Sequence, residues 1–152
     1  MTQKIKYYWE DFTVGQVKEF GDKLVSEEDI LTFAKEYDPQ SFHVDKQAAE
    51  QSIFKGLIAS GWQTCAFMMR MMCDEYLVDS SSQGSPGLDS VKWLKPVRPG
   101  DRIRVRSTVL ETRLMNSKPH LGLVNSSWEC INQNNEIVTS MQGWVIFVRR
   151  DS

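Results

Sequence analysis

Residues 59–87 read ASGWQTCAFMMRMMCDEYLVDSSSQGSPG, and they divide the chain into two kinds of pattern. Ala59 to Leu77 carries Trp62, Ala66, Phe67, Met69 and Met72 at helical spacing, broken only by Gln63 and Arg70 among its central positions. Such a helix is apolar nearly all round and is expected to be surrounded by protein. Met68, Met69, Met71 and Met72 are read as fillers of irregular core space in preference to the lining of a ligand tunnel. The stretch VDSSSQGSPG that follows is rich in turn residues, and beyond it the pattern alternates.

The segments LDSVKWLKPV, DRIRVRSTVLETRLM, HLGLVNSSWECIN and EIVTSMQGWVIFVRR read as strands, separated by RPGD, NSKP and QNNE. Arg102, Arg104 and Arg106 alternate with Ile103 and Val105, as on a strand with one wet face. On the N-terminal side, a short strand is expected over Gln16 to Val25. A helix should follow from Ser26, which can cap it with Asp29 in a capping box. Pro39 ends that helix, and Asp45 to Gln51 is expected to form a short one. Helices segregated from antiparallel strands make the class α+β. About five strands and one apolar helix bury each other if the sheet curls round the helix, and a second copy of the chain could cover an open sheet edge.

Composition removes several function classes. The 152 residues suffice for one domain with its own core. A net charge of −2 provides no general field for nucleic acid. Cys65, Cys73 and Cys130 form no C-x-x-C pair, which argues against a zinc site or a disulfide framework. No apolar stretch is long enough to span a bilayer and no signal segment is visible at the start, so a cytoplasmic location with reduced thiols is expected.

The candidate chemistry lies before the apolar helix. Residues 37–45, YDPQSFHVD, place Asp38 five positions before His43, with Pro39 stiffening the connection. Either Asp38 merely ends a helix and His43 packs beside Phe42, or the carboxylate orients and tunes the imidazole for proton transfer. Ser60 and Gly61, where the chain enters the apolar helix, present backbone N–H groups that lack intrahelical acceptors. These could serve as a plain cap and a packing glycine, or stabilise an oxygen that gains negative charge.

YDPQSFHVD, followed by FKGLIASGWQT, resembles the hydratase motif of the MaoC-like, (R)-specific enoyl-CoA hydratase family, and WLKPVRPGDRIRV resembles a strand-turn-strand usual there. The likeness spans roughly residues 8 to 150. It implies the hot-dog fold, a single MaoC-like domain over residues 1–152, and a homodimer or higher homo-oligomer. It also implies addition or removal of water at the C2–C3 bond of an acyl-CoA or acyl-carrier thioester, with coenzyme A entering only as part of the substrate and no metal. By the same resemblance Asp38 and His43 are the acid–base pair and Gly61 supplies the oxyanion N–H, while Gln40, Ser60 and Trp62 are candidates for substrate contact. Gln40, Ser41 and Ser60 stand where the family pattern has asparagine, proline and histidine. An acyl-CoA thioesterase using Asp38 to activate water, or a non-catalytic acyl-thioester-binding protein, are the alternatives. Lys92, Lys95, Arg98, Arg102, Arg104 and Arg106 are either a solvated sheet face or, in part, a grip on the carrier's phosphates.

Overall fold

The computed structural model describes residues 4–151. A turn of 3-10 helix at Trp9–Asp11 precedes β1 (Val17–Leu24), α1 (Glu27–Tyr37), α2 (Ser41–Val44), α3 (Lys46–Glu50) and α4 (Gly61–Met72). A π-helical turn, Cys73–Leu77, continues α4, and the strands β2 (Gly87–Trp93), β3 (Arg102–Leu114), β4 (Leu121–Ile131) and β5 (Ile137–Val148) complete the chain. All neighbouring strands are antiparallel, in the order β1-β3-β4-β5-β2. Among the described residues no helix is long and apolar enough to cross a membrane.

The expected elements are present, with three differences. The long helix ends its regular course at Met72 instead of Leu77, and α2 is a separate turn of helix that the pattern did not predict. The third difference concerns burial. Met68, Met71 and Met72 pack into the core, but Trp62 is 62% exposed and Met69 47% exposed. Within one chain the sheet covers only one side of α4, so a helix apolar nearly all round keeps an uncovered flank. Elsewhere local chemistry acts as the residue types suggest. Ser26 accepts from the Asp29 N–H at 2.9 Å, and Asp29 returns the bond to Ser26 N–H at 3.1 Å. Asp45 caps α3 by accepting from Gln47 and Ala48.

The core lies between α4 and the sheet. Ile103, Val105, Trp128, Cys130, Val138 and Met141 face Met68, Met71 and Met72, with Ile30 and Val25 closing one side. Two irregularities shape this contact. The pairing of β1 with β3 slips between Phe20 and Lys23, where Gly21 has φ +86°. A Cβ at Gly21 would overlap the Met71 side chain, so the missing side chain is what lets α4 approach β1. In β2 the pairing with β5 slips between Leu88 and Ser90, leaving Asp89 as an extra residue, and Trp93 then pairs with Thr139.

The arginines of β3 behave as a solvated, ion-paired face. Arg102 holds Asp22 through two bonds of 3.0 and 3.1 Å, Arg106 pairs with Glu129, and Arg104 reaches Asn132 and Asn135. Lys95 pairs with Glu136, and Arg98 donates to the Phe54 carbonyl.

Candidate active site

The site forms where three short segments meet the start of α4. Helix α1 stops at Tyr37 because Asp38, preceding a proline, leaves the helical region with φ −149° and ψ 71°, while its N–H still donates to the Ala34 carbonyl. The chain turns at Pro39 and Gln40 into α2, and this single turn aims His43 inward, leaving it only 4% exposed. The stretch after α3 then runs back past α2, so that Ile58 N–H donates to the Phe42 carbonyl.

Ile58 also fixes the histidine. His43 Nδ1 lies 2.7 Å from the Ile58 carbonyl oxygen, and a carbonyl can only accept, so Nδ1 carries a proton. The other ring nitrogen, Nε2, faces Asp38 Oδ2 at 3.3 Å. In the neutral imidazole Nε2 and Oδ2 are therefore both acceptors. They can share a species with two O–H donors, or close on each other when the ring is protonated.

Asp38 is held from both sides. Gln40 Nε2 donates to Oδ1 at 2.8 Å, and Ser60 Oγ donates to Oδ2 at 2.7 Å. Burial works to raise the carboxyl's pKa. The hydrogen bonds from Gln40 and Ser60 and the charge of His43 outweigh it, so Asp38 lies below its ordinary range. Ser60 does not cap α4 with its side chain; its hydroxyl is committed to Asp38 and the residue is fully buried. Two of the three positions that depart from the family motif thus supply the clamp on the acid.

Gly61 begins α4, so its N–H is among those without an intrahelical acceptor. A Cβ here would overlap the Trp93 indole, which leans against the helix start from β2. The glycine accordingly is a packing glycine as well as a candidate donor. Trp62 meets Trp93 edge to face, with centroids 5.1 Å apart. A cavity of about 400 Å³ lies among these groups, and Asp38, Gln40, His43, Gly61 and Trp62 all line it, with Ser60 behind Asp38. Phe42, Phe54, Ile58 and Val97 supply apolar wall, and exposed Trp62, Trp93 and Leu94 form the outer rim. Sequence reasoning missed Ile58, Trp93, Thr64 and Thr139 as members of this cavity. Ile58 and Thr64 lie within FKGLIASGWQT and Trp93 opens WLKPVRPGDRIRV, but no spacing in those stretches marks them as cavity wall, and Thr139 arrives from β5, whose placement only the folded sheet defines.

Comparison with known proteins identifies the family and the fold. Residues 11–127 match the MaoC like domain family. Over 102 residues the chain is 35% identical to the uncharacterized protein YdeM of Bacillus subtilis, spanning 67% of this chain and 72% of that one. It is 31% identical over 110 residues to an (R)-specific enoyl-CoA hydratase of Rhodospirillum rubrum, covering 69% and 71% of the two chains. The crystal structure of a MaoC-like dehydratase from Rhodospirillum rubrum superimposes with a TM-score of 0.90 at 35% identity, over 97% of this chain and 100% of the other. The five-stranded antiparallel sheet around α4 is the hot-dog arrangement. With residues 11–127, more than half its length, matched by the family model and its fold superimposing on the Rhodospirillum rubrum dehydratase, the chain belongs to the MaoC-like domain family.

Proposed function

We propose that the protein is a hydratase or dehydratase acting at the C2–C3 bond of an acyl-CoA or acyl-carrier thioester, with Asp38 and His43 as its acid–base pair. The observation that carries this reading is the pairing of His43 Nε2 with Asp38 Oδ2 at 3.3 Å on the wall of a cavity that also receives Gly61. A water donating one O–H to Nε2 and the other to Oδ2 satisfies both acceptors and presents its oxygen lone pair for attack at C3. His43 takes the water's proton, and the resulting imidazolium sits beside a carboxylate already held ionised by Gln40 and Ser60. The imidazolium then gives its proton to C2, which restores the neutral ring. Positioned proton transfer of this kind contributes typically about 10²–10⁴-fold in rate. Negative charge that develops on the thioester oxygen is met by the N–H of Gly61 at the positive end of α4. Coenzyme A enters only as part of the substrate.

A homodimer belongs to the same reading. The exposed flank of α4 at Trp62 and Met69 and the edge strand β2 are surfaces that a second copy would cover, beside the rim of the cavity. The test is hydration of a graded panel of 2-enoyl-CoA thioesters, followed by loss of enoyl absorbance, with a thiol reagent present in parallel. Wild-type protein is expected to consume enoyl thioester without releasing thiol, and His43→Ala to lose at least about 10²-fold while remaining folded. Thiol release would assign a thioesterase, and full activity in His43→Ala would remove the histidine from the mechanism.

A further inference from the structure

We infer that the cavity is built for an acyl group carrying a neutral oxygen substituent, a hydroxyl or a carbonyl, which Thr64 and Thr139 hold; this rests on the thioester reading above. Both threonines line the cavity and both are only 1% exposed. Neither hydroxyl hydrogen-bonds to a described residue, and neither is sealed off as the unpartnered Gln63 Oε1 and Asn125 Oδ1 are, so each keeps an opening on the cavity. A hydroxyl that opens only on a cavity must find its partner there, and it is left unfavourably unpaired when an apolar group fills the space. The usual local remedy is closed to Thr64. A helical threonine can donate to the carbonyl four residues back, but the Ser60 carbonyl already accepts the N–H groups of Gln63 at 3.0 Å and Thr64 at 3.2 Å.

Placement says which part of a substrate they would meet. Thr64 lies one turn beyond Gly61 on α4, about 4.5 Å along the axis from three residues of rise. Thr139 comes from β5, opposite Trp93 in the ladder. The two hydroxyls thus face the acyl chain past the reacting carbons, amid Phe54, Ile58, Val97 and Trp93. A purely hydrocarbon chain would leave both hydroxyls unpaired.

Charge narrows the class. Lys95 is the one cation among the lining residues described, and it is already paired with Glu136. Asp38 brings a carboxylate to the same cavity. An acyl carboxylate would be desolvated there without a counter-charge, whereas a hydroxyl or carbonyl can pair with threonine, which both donates and accepts.

Titration calorimetry on the full chain tests this without turnover, using butyryl-CoA, its terminally hydroxylated analogue and succinyl-CoA, all of one chain length. The hydroxylated thioester is expected to bind about tenfold more tightly than butyryl-CoA, as one to two net hydrogen bonds allow, and succinyl-CoA no more tightly than butyryl-CoA. Thr64→Val with Thr139→Val should bind the hydroxylated and plain thioesters equally, while Thr64→Ser with Thr139→Ser keeps the preference. Equal binding by wild-type protein, tightest binding of succinyl-CoA, or a preference that survives the valine pair would each overturn the inference and leave the thioester reading standing. Failure of butyryl-CoA itself to bind would overturn the thioester reading, and this inference with it.

Discussion

The two ends of α4 handle buried polar groups in opposite ways. Past its C-terminal end the π-helical turn swings Tyr76 into the core, where its hydroxyl accepts from Trp128 Nε1 at 3.1 Å. Phe12 and Phe20 pack edge-on against the Tyr76 ring, and the void beside it is about 20 Å³, the space of one water. Burial pushes the Tyr76 phenol up to about 12, against the hydrogen bonds it makes, so it stays protonated and inert. At the N-terminal end, Asp38, His43, Gln40 and Ser60 form a connected network beside about 400 Å³ of space. A polar network sealed by aromatics specifies packing; one whose remaining acceptors face a cavity is equipped for a reactant.

Substitutions can break that contrast at chosen points. Short of removing the acid–base pair itself, the largest effect is expected from Gly61→Ala, whose methyl would displace the Trp93 indole and with it the cavity wall. A displacement of about 1 Å near the reacting groups suffices for a roughly 10²-fold loss in kcat/KM. Combining it with Trp93→Ala should recover part of the loss, which a double-mutant cycle in steady-state kinetics would detect; no recovery would mean that the backbone at Gly61 matters alone. Next comes Ser60→Ala, which removes one donor from Asp38. Asp38 is held below its ordinary range, so its ionised form persists as pH falls. Losing Ser60 raises that pKa, so an NMR titration of the Asp38 carboxyl should show its midpoint moved to higher pH, with kcat/KM near neutrality falling about tenfold, one charge-assisted bond's worth. The same sign governs stability: Asp38's contribution is present above the ordinary carboxylate range, is lost as pH falls below it, and should shrink in Ser60→Ala. The smallest effect on catalysis is expected from Trp128→Phe at the sealed end. Thermal or denaturant unfolding should show a loss of about 1–3 kcal/mol as the Tyr76 hydroxyl loses its donor, with kcat/KM within a factor of about two.

How much was legible in the sequence follows the same division. The strands of the second half were readable because Ile103 and Val105 alternate with arginines and the breaks carry turn residues. The spacing of Asp38 and His43 brought them into one reading because Pro39 and a single turn of helix act over a few residues. The donor for Asp38 Oδ2 and the acceptor for His43 Nδ1 come from Ser60 and Ile58, further along the chain, and no periodicity connects them. Ser60 itself looked like a helix cap, since serine at a helix start usually is one; a carboxylate within reach wins its hydroxyl instead. Trp93, Thr64 and Thr139 were invisible as a group because each belongs to a different element. The exposed flank of α4 was misjudged for a simpler reason: hydropathy records what a helix can bury, not how much of it one chain covers.

The bulge at Asp89 carries a consequence for how this cavity can evolve. Side chains on a strand alternate between faces, so an extra residue inverts everything beyond it unless a bulge absorbs it. Leu88 pairs with Gly143 and Ser90 with the adjacent Gln142, so Asp89 is absorbed without disturbing the register on either side, and Trp93 keeps its place opposite Thr139 and against Gly61. Loss of Asp89 would therefore leave an unbroken ladder with the wall intact, whereas a residue added to the regular run from Ser90 to Trp93 would need a bulge of its own to keep the indole against Gly61.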